Sequence, residues 1–283
     1  MTMLTTLVAT SELAARIGAP NLVVVDLRHD LAAADAWGEA QYAAGHIPGA
    51  RFAHLDRDLS AAKSGRNGRH PLPSPEAAAA VFGRLGIDRD AQVVVYDQGN
   101  GMYASRLWWM LRWLGHDTVA VLDGGYAKWV AEGRATTGEA PTPRGATFVP
   151  RAGAGTVDAD DLLADLGRGS LLVVDARAPE RYRGDVEPLD PVAGHIPGAV
   201  NHPFARNLQP DGTFRPAAEL RAGFAALLGT RPASVVVHQC GSGVTACHNA
   251  LAMEVAGLPG ARLYPGSWSE WCADPARPVA RGT

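Results

Sequence analysis

The 283-residue chain lacks the features of a disulfide scaffold, a membrane protein or a nucleic-acid binder. Its three cysteines are too few for a disulfide framework, and their odd number favours a reducing, cytoplasmic setting. No uninterrupted apolar run approaches the ~20 residues of a membrane-spanning helix. Lysine and arginine total 26 against 29 acidic residues, so there is no basic surplus for nucleic acid or anionic lipid. The N-terminus has no basic region before its short apolar patch, which argues against a secretory signal.

An internal duplication is the strongest organising feature of the sequence. The hexapeptide GHIPGA stands at 45–50 and again at 194–199, and LVVVDLR at 22–28 is echoed by LVVDAR at 172–177. The offset is constant, since 195 − 46 = 149 for the histidines and 175 − 26 = 149 for the aspartates. Two similar segments at one offset, in the same order, indicate two copies of one fold.

A second block repeats at another constant offset. The segment VVVYDQGNGMYAS at 93–105 lies over VVVHQCGSGVTAC at 235–247, since 235 − 93 = 142. Trp129 falls on Trp271 at the same offset. Two copies agree with the length, which at roughly 150 residues per domain gives about two domains.

Each copy alternates short apolar runs with helical patterns, which predicts an α/β fold with a parallel sheet flanked by helices. LVVVD at 22–26, for example, is typical of a strand buried on both faces. A stretch rich in Gly, Pro and Thr without periodicity separates the copies and predicts a linker. The expected divisions are a first domain at 1–132, a linker at 133–155 and a second domain at 156–283.

The second copy carries a cysteine at the end of a predicted central strand, where the first copy has Gln98. Cys240 is followed by a glycine-punctuated turn that leads into a predicted helix. Such a turn can point successive N–H groups inward, and the helix N-terminus adds partial positive charge. Both favour a thiolate, and they would equally stabilise a persulfide. Cys240 is therefore the candidate nucleophile, and the predicted cradle comprises Gly241, Ser242, Gly243, Val244 and Thr245.

Other chemistries of a cysteine loop fit less well. A cysteine phosphatase needs an arginine six residues after the cysteine to bind phosphate, and Ala246 stands there. The cysteines do not have metal-ligand spacing, so we expect no metal and no other cofactor. Cys247 and Cys272 are expected to be buried structural residues.

The duplicated domains, the paired GHIPGA motifs, the single cysteine loop and YPGSWSEW at 264–271 together resemble the two-domain rhodanese sulfurtransferases. The resemblance covers residues from about 5 to 275. It implies tandem rhodanese-like domains, of which the first lacks the cysteine and the second is catalytic. The loop CGSGVTA at 240–246 resembles the 3-mercaptopyruvate branch, because the thiosulfate branch typically places basic residues directly after the cysteine.

Two arginines are candidates for binding the donor's carboxylate. Arg181 and Arg183 lie in APERYRG, after the second copy's VVDAR strand. By resemblance, Arg181 matches the family's substrate-binding arginine. Mercaptopyruvate enzymes usually carry a second arginine nine residues later, where this chain has Asp190. That departure leaves open whether Arg183 substitutes or thiosulfate is accepted comparably.

The expected mechanism is ping-pong through a Cys240 persulfide, in which Ser242 either hydrogen-bonds the donor or relays a proton. The resemblance implies that a histidine and an aspartate from the first domain assist Ser242 at the domain interface; His46 matches the histidine, and Asp35 is the candidate aspartate. GHIPGA can also be a structural turn, because His195 repeats it in the second copy.

The expected reaction takes sulfur from 3-mercaptopyruvate and gives it to a thiol, thioredoxin or cyanide. Two alternatives remain at this point. One is a thiosulfate sulfurtransferase, and the other is a sulfur-carrier or redox-sensing module that docks a partner without turning over a small donor. We expect no nucleic-acid or membrane partner.

Overall fold

The structure, a computed structural model, describes residues 3–33, 35–142 and 145–283. Residues 1–2 and 34 of the expected first domain, and 143–144 of the expected linker, lie outside the described residues. The chain forms two compact units. The first comprises the chain through Ser60, Pro73–Gly153 and Pro210–Phe214. The second comprises Ala61–Leu72, Ala154–Gln209 and Arg215–Thr283. The domain boundaries expected from the sequence stay predictions.

The first unit is built on a parallel sheet with the strand order β1-β5-β4-β2-β3. Its strands are β1 (Leu7–Val8), β2 (Leu22–Asp26), β3 (Ala50–Phe52), β4 (Gln92–Tyr96) and β5 (Val119–Leu122). The central strands β2 (LVVVD) and β4 (QVVVY) are mostly apolar and almost entirely buried, as is typical of parallel strands covered on both faces. The helices are α1 (Thr10–Ala14), α2 (Trp37–Ala44), α3 (Leu55–Asp58), α4 (Pro75–Arg84), α5 (Ala104–Trp113) and α6 (Gly125–Ala131).

The start of α4 follows the sequence closely. Ser74 is its N-cap, and the Ser74 hydroxyl accepts the N–H of Ala77 at 3.2 Å. Pro75 occupies the first helical position, where its missing N–H has no intrahelical partner to lose. This local chemistry fixes where the segment that precedes α4 must end.

The second unit repeats the plan on a smaller parallel sheet with the order β7-β6-β8-β9. Its strands are β6 (Leu172–Asp175), β7 (Val200–Asn201), β8 (Val236–Gln239) and β9 (Arg262–Leu263). Its α-helices are α7 (Ala159–Asp165), α8 (Pro179–Arg183), α9 (Ala217–Leu228), α10 (Thr245–Val255) and α11 (Ser267–Trp271). Short 3₁₀ turns lie at Phe204–Asn207 and Ala233–Val235. The predicted α/β class with parallel sheets is confirmed.

A buried ion pair recurs at the same strand end in both units. Arg28 donates to Asp26 at 2.6 Å and to the carbonyl of Gly45, and Arg177 donates to Asp175 at 2.7 Å. Arg177 likewise reaches the carbonyl of Gly194. Each arginine thus ties its strand to the first residue of the GHIPGA motif. Within the described residues, no helix is long and apolar enough to cross a membrane.

Candidate active site

Cys240 lies between β8 and α10, at the carboxyl end of a central strand of the second unit. Its side chain is nearly covered, since the residue is 2% exposed. Its Sγ accepts the N–H of Gly243 at 3.1 Å and lies 3.5 Å from the N–H donor of Ser242. Gly243 has φ +80°, a left-handed conformation that bulky residues adopt only with strain. The turn therefore aims backbone donors at the sulfur.

The first copy shows what this kind of loop does with an anion. Asp97, one residue before the position that matches Cys240, is fully buried. Its carboxylate accepts the N–H groups of Gly99 (2.9 Å), Gly101 (3.0 Å), Tyr103 (2.8 Å) and Ala104 (3.2 Å). Burial raises the pKa of Asp97, while these backbone donors oppose the rise. The equivalent loop in the second copy thus offers its Gly243 amide to a sulfur rather than to a carboxylate.

A second turn braces the Cys240 backbone. Ser267 accepts the N–H of Cys240 on its hydroxyl at 3.1 Å, and Trp268 donates its N–H to the Cys240 carbonyl at 2.9 Å. Ser267 has φ +54°, and the matching residue in the first copy, Gly125, has φ +56°. A non-glycine residue in this region costs conformational energy, so the second copy accepts strain and gains a hydroxyl beside the cysteine. Sequence reasoning missed Ser267, although its alignment with a glycine was a usable signal.

His70 is hydrogen-bonded to Ser242, with 2.7 Å between its Nδ1 and the Ser242 Oγ. Both residues belong to the second unit, in which the segment Ala61–Leu72 packs. The backbone at Gly68 has φ +86°, and a Cβ there would lie 2.8 Å from the Gly266 carbonyl oxygen. Only glycine allows so close an approach, which anchors the chain two residues before His70. Sequence reasoning missed His70 because its segment has no periodicity and no counterpart in the aligned blocks.

Two guanidinium groups converge on Gly241, directly after the cysteine. The position that a Cβ would take on Gly241 lies 2.8 Å from Arg69 Nη2 and 3.5 Å from Arg181 Nη1. The Arg69 backbone N–H is held by the Ser269 hydroxyl at 3.0 Å. Arg181, predicted from the sequence, therefore lies at the cysteine loop, and Arg69 joins it as a residue that the sequence did not reveal.

Two buried carboxylates hold these cations. Glu187 accepts from Arg181 at 2.6 and 3.2 Å, and Asp190 accepts from both Arg69 and Arg181. Burial raises the pKa of Asp190, whereas the hydrogen bond and charge of Arg69 lower it. The acidic residue that replaces the family's second arginine is thus the common partner of two arginines.

Arg177 extends this charge network towards the sulfur. Burial disfavours its cation, but the charges of Asp175, Glu187 and Cys240 outweigh burial and raise the Arg177 pKa. Its guanidinium carbon also lies 4.8 Å from the centre of the Trp268 ring. The positive charge of Arg177 therefore interacts electrostatically with Cys240.

His46, which the resemblance implied as the histidine assisting Ser242, lies in the first unit. Its Nδ1 is 2.8 Å from the Tyr42 carbonyl and its Nε2 is 3.2 Å from the Glu139 carbonyl, and the ring stacks on Tyr42. His195 in the second copy stacks on Tyr182 in the same way. The histidine that contacts Ser242 is His70 instead.

Asp35, the expected aspartate, also lies in the first unit, where it contacts His54. His54, His29 and Asp56 bring possible metal-ligand atoms within 4.8 Å of one another. His54 Nδ1 accepts the N–H groups of Asp56 and Arg57, so its neutral ring carries the proton on Nε2. That Nε2 lies 3.0 Å from the Asp35 carbonyl oxygen and 3.2 Å from its carboxylate. Since both nitrogens of the His54 ring already have hydrogen-bond partners, the cluster of His29, His54 and Asp56 does not fit a metal ion.

Four further residues were singled out in the sequence: Arg183, Val244, Thr245 and Cys247. The Arg183 side chain is 39% exposed and pairs with Asp185 at 2.7 Å. Val244 caps α10 and Thr245 begins it, as the predicted turn-to-helix junction requires. Cys247 donates its thiol to the Gly243 carbonyl at 3.2 Å.

Comparison with known proteins decides the family. The model for the rhodanese-like domain matches the chain twice, at residues 9–132 and 158–274. The chain belongs to the rhodanese family. As a rhodanese it is 50% identical to a probable 3-mercaptopyruvate sulfurtransferase of Pseudomonas aeruginosa, over 98% of each chain. It is also 39% identical to thiosulfate sulfurtransferase of Bos taurus, over 82% of this chain and 78% of that protein.

Solved structures agree with this family. The 3-mercaptopyruvate sulfurtransferase of Leishmania major superposes with a TM-score of 0.83 at 31% identity, covering 94% of this chain and 74% of the other. The predicted tandem rhodanese-like fold is confirmed, and so is the predicted class of enzyme. This rhodanese is a sulfurtransferase.

Proposed function

We propose that this sulfurtransferase takes sulfur from 3-mercaptopyruvate and carries it as a persulfide on Cys240. The proposal is supported above all by the hydrogen bond between His70 and Ser242. This bond lies next to Cys240, whose sulfur accepts hydrogen bonds from backbone amides of the loop. The amides and the nearby Arg177 cation stabilise sulfur in its anionic form, as the first step needs.

The first half-reaction breaks the donor's C–S bond. The Cys240 thiolate attacks the mercaptopyruvate sulfur, an S–S bond forms, and the C–S electron pair leaves as the enolate of pyruvate. The proton that the donor's thiol carried is passed to the enolate carbon, which gives pyruvate, and the persulfide is left as Cys240–S–S⁻ with its terminal charge towards the loop amides. We assign this proton transfer to the Ser242 hydroxyl, backed by His70.

Arg69 and Arg181 are assigned to the donor's carboxylate. They present guanidinium nitrogens beside Gly241, next to the nucleophile, and a carboxylate suits the fork of an arginine. Arg183 is directed to Asp185, so it is not assigned a role in donor binding. The mechanism likewise assigns no proton to His46 or Asp35, whose contacts lie in the first unit.

The second half-reaction returns the thiolate. An acceptor thiol attacks the terminal sulfur and passes its proton to that sulfur, and the S–S electron pair leaves on Cys240 as the thiolate, giving a thiol persulfide; cyanide takes the same sulfur and gives thiocyanate. A dithiol such as thioredoxin releases hydrogen sulfide as it closes its own disulfide. The kinetics are therefore ping-pong, with pyruvate leaving before the acceptor reacts.

The relay favours mercaptopyruvate over thiosulfate as the donor. Attack of Cys240 on thiosulfate would release sulfite. Sulfite needs no proton when it leaves, whereas the enolate of pyruvate does. Thiosulfate remains the second candidate donor because the Bos taurus relative is named a thiosulfate sulfurtransferase. A sulfur carrier that does not turn over would form one persulfide per chain, and it would release no more pyruvate when further mercaptopyruvate is added.

Intact mass spectrometry tests the persulfide. Incubation with mercaptopyruvate should add one sulfur to the reduced chain and release one pyruvate. Cys240→Ser should abolish both, and the matched Cys247→Ser should keep both. An added sulfur that persists without Cys240 rejects the proposal, and kcat/KM for thiosulfate at or above that for mercaptopyruvate rejects the assigned donor.

We also infer a cytoplasmic site of action and the divisions 1–132, 133–155 and 156–283. A reducing compartment suits a reaction that needs Cys240 as a thiolate. The rhodanese-like matches at 9–132 and 158–274 support the divisions.

A further inference from the structure

Asp190 lies where the two arginines of the proposed donor site meet. Its side chain is only 3% exposed. One carboxylate oxygen accepts from Arg69 and the other lies 3.4 Å from Arg181 Nη2, so the group bridges the two guanidiniums. Its own backbone N–H is held by Glu187 at 3.2 Å. The bridge is therefore fixed in place rather than a mobile surface contact.

This bridge changes the charge that a donor meets. Arg69 and Arg181 supply two positive charges. The carboxylate of Asp190 neutralises one of them, and Glu187, which pairs with Arg181, neutralises the other. An arginine at position 190 would make the same group more positive by two charges. The cations beside Gly241 are thus ordered for hydrogen bonding without a large excess of positive charge.

We propose that Asp190 is a specificity-determining residue that favours sulfur donors with a singly charged anionic end over dianionic donors. The inference rests on the proposed function, because it concerns the donor site of that reaction. Mercaptopyruvate offers one carboxylate, and thiosulfate brings two negative charges. Coulomb attraction scales with charge, so a nearby carboxylate penalises the dianion about twice as strongly as the monoanion.

The test compares two donors in one set of variants at pH 8. Asp190→Asn removes the charge and keeps the side chain's size. We expect the ratio of kcat/KM for thiosulfate to kcat/KM for mercaptopyruvate to rise at least ~10-fold, mainly through a lower KM for thiosulfate. Any general loss from loosening Arg69 and Arg181 affects both donors and cancels in the ratio.

Two controls separate charge from position. Asp190→Glu keeps the charge and should leave the ratio within ~3-fold of the parent chain. Asp185→Asn makes the same charge change at an exposed carboxylate that pairs with Arg183, and it should leave the ratio unchanged. A ratio that rises equally in Asp185→Asn and Asp190→Asn would reflect net charge alone and would overturn the role of Asp190.

A binding measurement covers the case in which Asp190→Asn turns over poorly. On a Cys240→Ser background, with Asp190→Ser as a second neutral variant, dissociation constants for pyruvate and sulfate are measured by calorimetry. Tighter sulfate binding relative to pyruvate, by at least ~10-fold, supports the inference, and an unchanged ratio overturns it. If the parent chain forms no persulfide with either donor, the proposed function fails instead, so the two failures are distinguishable.

Discussion

The Nδ1 atom of His70 lies 2.7 Å from the hydroxyl oxygen of Ser242, which follows Cys240 by two residues. The pair can move a proton to a leaving group without adding a charged side chain to the sulfur's immediate surroundings. The importance of the His70–Ser242 pair should therefore depend on the donor, because only some leaving groups need a proton.

Ser242→Ala should therefore lower kcat for mercaptopyruvate by about 10²-fold, within the usual range for loss of a positioned proton donor. His70→Asn, which keeps a hydrogen-bonding group near Ser242 but cannot titrate, should lower it in the same direction. Turnover with thiosulfate should fall much less, since sulfite leaves without a proton. Steady-state kinetics with both donors measure the difference.

The double variant is the internal control for that relay. Residues that act as one unit show non-additive losses, so His70→Asn with Ser242→Ala should be no slower than the worse single variant. Equal losses with mercaptopyruvate and thiosulfate would mean that Ser242 only shapes the loop, and the relay would have to be abandoned.

Ser267 predicts a separation of stability from activity. Its left-handed backbone costs energy for serine but not for glycine, and its hydroxyl holds the Cys240 N–H. Ser267→Gly should thus leave the melting temperature near that of the parent chain while kcat falls several-fold. Ser267→Ala keeps the strain and loses the hydrogen bond, so it should be less stable by about 1–3 kcal/mol.

Thermal unfolding and steady-state kinetics on the same preparations check the Ser267 variants. The first copy provides the reference, since Gly125 already holds this backbone conformation without a hydroxyl. Full activity in Ser267→Gly would show that the hydroxyl does not orient the cysteine loop.

His238 predicts acid sensitivity of the second unit. Burial, with the nearby charge of His202, lowers the pKa of His238 to about 3, and its Nε2 lies 3.1 Å from the Met253 sulfur. Because the unfolded chain binds the proton at about pH 6.5, the neutral buried ring contributes stability above that pH. The contribution is lost as pH falls from about 6.5 towards 3, at up to about 1.4 kcal/mol per pH unit.

Urea unfolding at pH 7.5 and pH 5.0 measures this effect. His238→Leu should lose part of the parent chain's pH dependence, with the remainder coming from other buried histidines such as His202, whose pKa burial also lowers. Val237→Ala, on the same strand, should lower the free energy of unfolding equally at both pH values. A pH dependence that is the same in His238→Leu and the parent chain would contradict the assignment.

The parts of the site that sequence reasoning found are those with local signals. Cys240 stands out because a buried strand, a glycine turn and a helix follow one another in the chain, and the first copy has Gln98 in its place. Arg181 follows the repeated VVDAR strand and matches a family motif. Both predictions depend on a short segment whose local structure is determined by the residues within that segment.

The parts that it missed depend on long-range packing. Arg69 and His70 come from a segment without periodicity, which lies about 170 residues before the loop that it contacts in the second unit. Gly65 and Gly68, which precede them, indicate a loop but not the part of the fold that the loop contacts. His46 was the more visible histidine because its motif is repeated, and repetition in both copies is also what a structural turn would show.

The closure of the first copy's loop on Asp97 limits how a second reactive centre could arise in this chain. A thiol introduced at Gln98 would compete with a resident carboxylate for the same donors and would gain little acidity from them. Two neighbouring changes would be needed together, one to vacate the donors and one to supply the sulfur. A single substitution in the first copy is therefore not expected to create a second reactive cysteine.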